Sequence, residues 1–186
     1  MASKYGSLGD IPTSGASHTT GRQDSNNYSG VFGSEKLAEA DLDRMKKYRS
    51  IIQSVSRKTG VDGAIIAGII SRESRAGNAL DVNKQGDHGN AFGLMQIDYR
   101  FHTPRGAWDS EEHLLQGTEI LCSMFQYIKQ KFPRWSSSQI MKGAIAAYNM
   151  GPDSVTSFDN IDSQTTGGDY SNDVIARAKF YKKKRF

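Results

Sequence analysis

The sequence predicts a mainly α-helical domain that carries one small β ribbon. Apolar residues recur at helical spacing over most of the chain after residue 34, which is the pattern of helices that bury one face. A single glycine-rich stretch, residues 81–98, breaks that pattern and leaves room for a short ribbon. With 186 residues, the chain has the usual length of one domain and is long enough to bury a core.

The beginning of the chain differs in composition from the rest. Residues 1–33 are rich in Gly, Ser, Thr and Asn and hold few large apolar residues, so they are predicted to form an irregular arm. This arm is expected to flank or pack on a single domain, residues 34–186.

Apolar spacing and capping residues predict five helices in that domain. The first is one stripe that Gly60 closes, and Asp62 is placed to cap the second. The stripe consists of Leu37, Leu42, Met45, Tyr48, Ile52 and Val55. The later helices extend from Asp109, with Glu112 as its capping-box partner, to Phe132, from one of Ser136, Ser137 and Ser138 to about Gly151, and from about Asn172 to Lys183.

The most informative residue is Glu73, at the end of the second helix. Ile66, Ile69 and Ile70 share its helical face, so that face should be buried and should carry the carboxylate into a dry environment. Burial and the negative end of the helix dipole both raise the pKa of a carboxyl group. Arg72 and Arg75 project away and are expected to lower the pKa of Glu73 little. A carboxylic acid that stays protonated near neutral pH suits a general acid, although most glutamates near helix ends are solvated or salt-bridged.

Two aspartates lie at the ends of the glycine-broken stretch. Asp87 and Asp98 flank a short apolar segment, so the ribbon is predicted to carry a carboxylate at each end. One protonated carboxyl group that faces ionised carboxylates across a cleft is the arrangement of glycoside hydrolysis. Glu73, Asp87 and Asp98 are therefore the candidate catalytic residues.

Other kinds of site find little support in the residue pattern. No Gly-Lys-Ser/Thr follows the glycines at 86, 89 and 93, so they do not predict a phosphate loop. The four histidines lack metal-ligand spacing, so neither a metal nor another cofactor is expected. The net charge of +4 is concentrated in residues 182–185, and such a basic tail is usually solvated rather than a nucleic-acid site.

Features that bear on the cellular compartment are ambiguous. Cys122 is the one cysteine, so no intramolecular disulfide can form. No apolar run approaches the ~20 residues that span a bilayer. The first residues lack the apolar centre of a signal peptide, so the leader is absent from this sequence, or the protein is cytosolic, or it leaves the cell by another route.

Three short segments follow one another along the chain: Glu73-Ser74, Gly93-Leu94-Met95-Gln96-Ile97 and Ala147-Tyr148-Asn149-Met150-Gly151. They resemble the ordered motif set shared by goose-type lysozymes and lytic transglycosylases. The chain resembles goose-type lysozymes from residue 5 to residue 181, including Gly15-Ala16-Ser17, Ala67-Gly68-Ile69-Ile70-Ser71-Arg72-Glu73-Ser74 and Asn172-Asp173-Val174. The resemblance implies a lysozyme-like fold with the ribbon beside a catalytic cleft. It also implies inverting hydrolysis of the β-1,4 bond between N-acetylmuramic acid and N-acetylglucosamine in peptidoglycan.

The resemblance also assigns roles to residues. Glu73 matches the general acid, and Asp87 and Asp98 match the two aspartates that position the attacking water. The residues that match the sugar-binding cleft are Gln96, His102, Tyr148, Asn149 and Tyr170. Amide and imidazole groups suit sugar hydroxyl and N-acetyl groups, and tyrosine rings suit sugar faces.

The resemblance further implies an antibacterial, extracellular enzyme of innate immunity. It would act without a cofactor, as a monomer, on peptidoglycan and chitooligosaccharides, and proteinaceous lysozyme inhibitors could bind it. A cytoplasmic or lysosomal location stays open. Disulfide-bearing avian members have cysteines where this chain has Lys4, His18, Ser29 and Gly60. Each lost bridge costs about 2–4 kcal/mol, so packing must compensate or the arm must move.

Two alternative functions remain open at this point. A lytic transglycosylase would use the same glutamate as acid and then as base, and would form a 1,6-anhydro product without an activated water. The two aspartates favour hydrolysis over that reaction. A non-catalytic peptidoglycan-binding module would keep the cleft but would have no use for a protonated acid at Glu73.

Overall fold

A computed structural model describes residues 3–25 and 27–186, and residues 1, 2 and 26 of the predicted arm lie outside the described residues. Within the described range, seven α-helices and a three-stranded antiparallel sheet confirm the mainly α fold with a small ribbon. The helices are α1 (His18–Gly21), α2 (Gly30–Lys46), α3 (Arg49–Thr59), α4 (Gly63–Ser74), α5 (Glu111–Lys131), α6 (Ser137–Met150) and α7 (Tyr170–Lys183). The strands are β1 (Gln85–Gly86), β2 (Ala91–Phe92) and β3 (Ile97–Asp98), in the order β1-β2-β3.

Helix α4, which ends beside Glu73, is the central element of the core. Its apolar residues pack against α7, α3 and α2, so every residue from Gly63 to Ser71 is buried, as expected for a helical segment that is apolar all round. The backbone N–H of Ala64 donates to the Asp62 carboxylate at 2.9 Å, which confirms Asp62 as the N-cap. A side chain at Gly68 would place its Cβ 2.8 Å from the carbonyl oxygen of Val174, so glycine is what allows α7 to approach.

The single apolar stripe predicted before Gly60 is wrong in one respect, because it forms two helices. α2 ends at Lys46 and α3 begins at Arg49, and the chain turns between them with a hydrogen bond from the Tyr48 N–H to the Met45 carbonyl at 2.9 Å. The two helices pack on different neighbours, α2 on α7 and α3 on α5, and one straight helix cannot face both. Gly60 ends α3 with φ of 81°, as predicted.

The predicted boundaries of the later helices need small corrections. Ser110, not Asp109, caps α5, because the Ser110 hydroxyl accepts the N–H of His113 at 3.2 Å. Ser136 is the serine that caps α6, and Gln139 returns the contact in a full capping box. Helix α7 begins at Tyr170, two residues before the expected start. None of the helices in the described part is long and apolar enough to cross a bilayer.

The N-terminal arm is held by packing and hydrogen bonds in place of disulfides. Tyr5, Leu8 and Ile11 belong to the buried core. The side-chain oxygen of Asn172 accepts the backbone N–H of Ser14 at 3.0 Å and the ammonium of Lys142 at 2.9 Å. The same ammonium donates to the carbonyl of Pro12 at 2.8 Å. The arm is therefore tied to both α6 and α7, without a covalent bridge.

The Asn172 contacts predict a measurable contribution to stability. Asn172→Ala removes an acceptor from the ammonium of Lys142, a residue that is 6% exposed, and removes the contact with the Ser14 N–H of the arm. We expect the free energy of unfolding in urea to fall by about 1–3 kcal/mol, the cost of leaving a buried polar group unsatisfied. Asn83→Ala, at an exposed position of the ribbon turn, is the matched control and should change it little. Equal midpoints for the two variants would contradict this role of Asn172.

Candidate active site

Glu73 lies in the last turn of α4 with its carboxyl group enclosed by protein. Although the residue as a whole is only half-buried, desolvation of the carboxyl group raises the pKa of Glu73 to about 7. The charge of Arg72 and the hydroxyl of Tyr170 lower that pKa, and the nearby Asp87 carboxylate raises it. The net shift is upward, as the apolar face of α4 predicted.

Arg72 has more influence on Glu73 than the sequence suggested. Both neighbouring arginines were expected to lower the pKa of Glu73 little. This holds for Arg75, whose side chain pairs with Asp24 and Asp41. It is wrong for Arg72, the largest of the influences that lower the pKa of Glu73. The guanidinium of Arg72 lies 5.1 Å from the centre of the Tyr170 ring, and the hydroxyl of that ring lies beside the Glu73 carboxyl group. Tertiary packing thus brings its charge back towards Glu73.

Arg72 belongs to a buried network of charges that fixes the end of α4. Its guanidinium contacts Asp169 at 3.0 Å and Asp173 at 2.8 Å. Arg177 and Asp173, both fully buried, form a further ion pair at 2.9 Å within α7. Each guanidinium is thus offset by carboxylates, which limits the effect of Arg72 on Glu73. The members of the network are Arg44, Arg72, Arg75, Arg177, Asp24, Asp41, Asp169 and Asp173.

Two tyrosines enclose the Glu73 carboxyl group. The hydroxyl of Tyr148 donates to the carbonyl of Met95 at 2.7 Å, which fixes the ring between α6 and the ribbon segment. The Tyr170 ring is 1% exposed, and its buried hydroxyl makes no hydrogen bond of normal geometry within the described residues. Burial and the charge of Glu73 raise the pKa of both hydroxyl groups, so both stay neutral. Tyr170 therefore presents its hydroxyl group to Glu73, and its ring is almost completely buried.

Asp98 ends β3, one outer strand of the ribbon, and Asp87 directly follows β1, the other outer strand. Gly86 of β1 and Asp98 of β3 both pair with Ala91 of the middle strand. The backbones of Gly86 and Asp98 are therefore two strand spacings apart, roughly 10 Å. Asp87 follows Gly86 directly. One Arg100 nitrogen, Nη2, contacts Asp98 Oδ2 at 2.7 Å and Asp87 Oδ2 at 3.3 Å. The hydrogen bonds from the Arg100 side chain lower the pKa of Asp98, which stays ionised.

The backbone around these carboxylates is in unusual conformations. Asp87, His88 and Gln96 have φ of 50°, 56° and 51°, in the left-handed region that non-glycine residues rarely adopt. Conformations of this kind cost of order 1–3 kcal/mol each and cluster at functional sites. Gly93, with φ of 78°, is required because its Cβ would lie 2.5 Å from the His113 ring. The geometry of the ribbon is therefore held by its surroundings.

A cleft beside the ribbon brings together five of the candidate residues. The cavity has a volume of about 560 Å³ and also exposes apolar surface, including Phe101 and Met150, which are 77% and 52% exposed. The candidates that line it are Gln96, Asp98, His102, Tyr148 and Asn149. Glu73, Asp87 and Tyr170 do not line it directly. Tyr148 connects these three residues with the cleft, because it lines the cleft and the charge of Glu73 raises the pKa of its hydroxyl group.

Asn149 has a structural partner as well as a place in the cleft. Its side-chain oxygen accepts the backbone N–H of Thr166 at 2.9 Å, and its amide nitrogen lies 3.2 Å from the Thr166 hydroxyl. Arg72 donates to the carbonyl of the same Thr166 at 2.9 Å. The loop that precedes Tyr170 is therefore anchored from both sides.

Sequence reasoning missed His113 and Arg100. His113 is fully buried in α5, where burial lowers its pKa to about 4, and its Nε2 accepts the N–H of Met95 at 2.9 Å. It thereby supports the segment that holds Tyr148. No spacing rule marks a histidine that binds only backbone, and Arg100 is marked only by its position two residues after Asp98. Across residues 3–25 and 27–186, no three His, Cys, Asp or Glu side chains are grouped so that they could hold a metal ion.

The raised pKa of Glu73 predicts a pH-dependent stability difference. Because its folded pKa of about 7 exceeds the ordinary 4.5, the unfolded chain ionises first, so the folded state loses stability as the pH rises from about 4.5 to about 7 and regains none above that. Glu73→Gln should therefore unfold with a free energy up to about 3 kcal/mol higher than the unsubstituted protein at about pH 9, and nearly equal at about pH 4. Urea titrations at the two pH values measure this, with the exposed Glu39→Gln as control. A constant difference at both pH values would show that Glu73 ionises normally.

Comparison with known proteins identifies the family of this chain. The family model described as Lysozyme g matches residues 5–185. Lysozyme g of Takifugu rubripes is 55% identical over 184 residues, covering 96% of this chain and 96% of that protein. Lysozyme g of Cyprinus carpio is 51% identical over the full length of both chains, and that of Gallus gallus is 48% identical, covering 96% of this chain and 84% of that protein. The chain therefore belongs to the lysozyme g family, and it is a lysozyme, that is, a glycoside hydrolase.

Proposed function

We propose that the protein hydrolyses the β-1,4 bond between N-acetylmuramic acid and N-acetylglucosamine in peptidoglycan, with Glu73 as the general acid. The observation that carries the proposal is the opposite titration of two carboxyl groups near one ribbon. Burial holds the pKa of Glu73 at about 7, whereas Arg100 keeps the pKa of Asp98 below its ordinary value. Over the pH range between them, one group is an acid and the other is a base, which glycoside hydrolysis requires.

The chemical step divides between the two sides of the scissile bond. Glu73 donates its proton to the glycosidic oxygen as the bond to the anomeric carbon breaks. A water molecule held by Asp98 and Asp87 attacks that carbon from the opposite face, and the carboxylates accept its proton. The product sugar then carries the inverted configuration. This mechanism needs carboxyl groups about 6.5–9.5 Å apart, with space for the water between them.

Substrate recognition is assigned to the cleft beside the ribbon. Gln96 and His102 offer hydrogen-bonding groups for hydroxyl and N-acetyl groups, and Asn149 has lone pairs left after binding Thr166. Tyr148, together with the exposed apolar surface of Phe101, suits the apolar faces of sugar rings. Tyr170 contributes through Glu73. Short chitooligosaccharides fit the same chemistry and serve as soluble substrates.

The wider setting follows from the substrate. Peptidoglycan belongs to bacteria, so an antibacterial role outside the host cell, as part of innate immunity, is the setting that suits this activity. One catalytic chain carries all the candidate residues, which supports action as a monomer. A proteinaceous inhibitor would reach the site through the open cleft.

A lytic transglycosylase is the alternative reaction on the same cleft. Its intermediate closes on the hydroxyl group at carbon 6 of the same sugar, so no group needs to activate water. The ionised Asp98 beside Arg100 would then have no catalytic task. Hydrolysis is therefore the reaction that uses all three carboxyl groups.

Replacing the general acid should abolish turnover but preserve binding. Glu73→Gln keeps the size and hydrogen-bonding capacity of the side chain but cannot donate a proton to the leaving group. We expect kcat on a chitooligosaccharide to fall on the order of 10²–10⁴-fold, with an unchanged Kd by calorimetry. Glu39→Gln, an exposed change on α2, is the control for altered net charge. Unchanged turnover in Glu73→Gln would exclude Glu73 as the acid.

The first product should report the mechanism directly. Inverting hydrolysis of a β-linked substrate releases the α-anomer, which proton NMR observes before mutarotation. Mass spectrometry of digested peptidoglycan should show products that contain one added water. A 1,6-anhydro product would identify the transglycosylase instead, and a β-anomer would identify a retaining mechanism.

A further inference from the structure

The Arg100 side chain connects the carboxylate of Asp98, at the end of β3, with that of Asp87, in the turn after β1. Its Nε lies 3.0 Å from Asp98 Oδ1, and its Nη2 lies 2.7 Å from Asp98 Oδ2. The guanidinium therefore binds the Asp98 carboxylate in a bidentate manner, with two parallel hydrogen bonds. The same Nη2 donates to Asp87 Oδ2 at 3.3 Å. These two aspartates account for every ion pair of Arg100 within the described residues.

Two ionised carboxylates on neighbouring parts of one ribbon repel each other. A like charge close by disfavours ionisation, so one member of such a pair tends to bind a proton. Only the ionised forms can accept a proton from water. Bound substrate strengthens this conflict, because it excludes water that screens the two charges.

We propose that Arg100 is a positioning residue that holds the Asp87 and Asp98 carboxylates in place together, ready to orient the attacking water. This inference rests on the proposed function, in which those two carboxylates act on water. Arg100 contacts Oδ2 of Asp87, so Oδ1 of that carboxylate is not engaged by Arg100. The Arg100 side chain is 56% exposed and lines the same cleft as Asp98, so it contacts the two carboxylates from the solvent side.

The other charged groups around the ribbon cannot replace Arg100. The charge of His102 also lowers the pKa of Asp98, but it does so less than any contact with Arg100. Asp87 faces Glu73 of α4, which adds a further acid and no cation. Arg105 follows in the same loop but pairs with Glu112 at 3.0 Å and Glu119 at 2.9 Å. The role therefore belongs to one guanidinium.

The test compares pH profiles of Arg100→Gln and Arg100→Lys. The backbone N–H of residue 100 donates to Asp98 Oδ1 at 2.8 Å, and that contact does not depend on the side chain. For Arg100→Gln, the acidic limb of the kcat profile on a chitooligosaccharide should move to higher pH by about 1 unit, because Asp98 loses its paired charge. The basic limb should not move, and KM should not change. Arg100→Lys keeps the charge without the fork, so it should show a smaller shift.

Arg105→Gln is the matched control, because it removes the same charge from the same loop. An equal shift in Arg105→Gln would reduce the effect to net charge and overturn the inference. A fall in kcat that is uniform across pH would assign Arg100 a structural role only, and a raised KM at constant kcat would assign it to sugar binding. Either result would also overturn the inference.

Two further variants separate this inference from the proposed function. Asp87→Asn and Asp98→Asn remove the carboxylates themselves. If both keep full kcat, the water-activating mechanism fails, and the role of Arg100 fails with it. If either loses turnover while Arg100→Gln keeps the original acidic limb, the proposed function stands and the inference about Arg100 fails alone.

Discussion

The structure depends on the buried charge network between α2, α4 and α7. Asp41, Asp173 and Arg177 are fully buried, and they join these helices through Arg72 and Arg75. Taking such charges out of water is costly, so a network of this kind is tolerated only when opposite charges balance and hydrogen bonds are satisfied. Four arginines meet four aspartates here, and removal of one partner typically costs about 3–5 kcal/mol. The position of the last turn of α4, and with it Glu73, follows from this constraint.

This balance explains how a glutamate can keep a proton beside an arginine. Arg72 would by itself favour the ionised form of Glu73, but Asp169 and Asp173 offset its charge. Desolvation of the Glu73 carboxyl group is then the largest influence on its pKa, and it raises that pKa. Asp98 is in the opposite kind of environment, because its side chain keeps access to solvent and pairs with Arg100. The two environments thus favour a protonated Glu73 and an ionised Asp98 in one molecule.

Much of the architecture was readable from local patterns. Asp62 caps α4 and Gly60 ends α3 because a cap or a left-handed turn depends on residues within a few positions. The ribbon within residues 81–98 was also readable, since glycines break the helical spacing there. The break between α2 and α3 was not, because the apolar spacing continues across it. Only the different packing partners of the two helices require the turn.

The sequence by itself determined which chemical groups could act: an acid on an apolar helical face, two aspartates at the ends of a ribbon, and polar and aromatic residues in motifs of a known family. The tertiary structure alone decided how those groups behave. It buried the Tyr170 ring, brought the charge of Arg72 back towards Glu73, and placed Arg100 between Asp87 and Asp98. It also tied the arm through Asn172, which lies 158 positions from Ser14. The physical reason is that desolvation and charge pairing depend on distance in space, which local spacing does not encode.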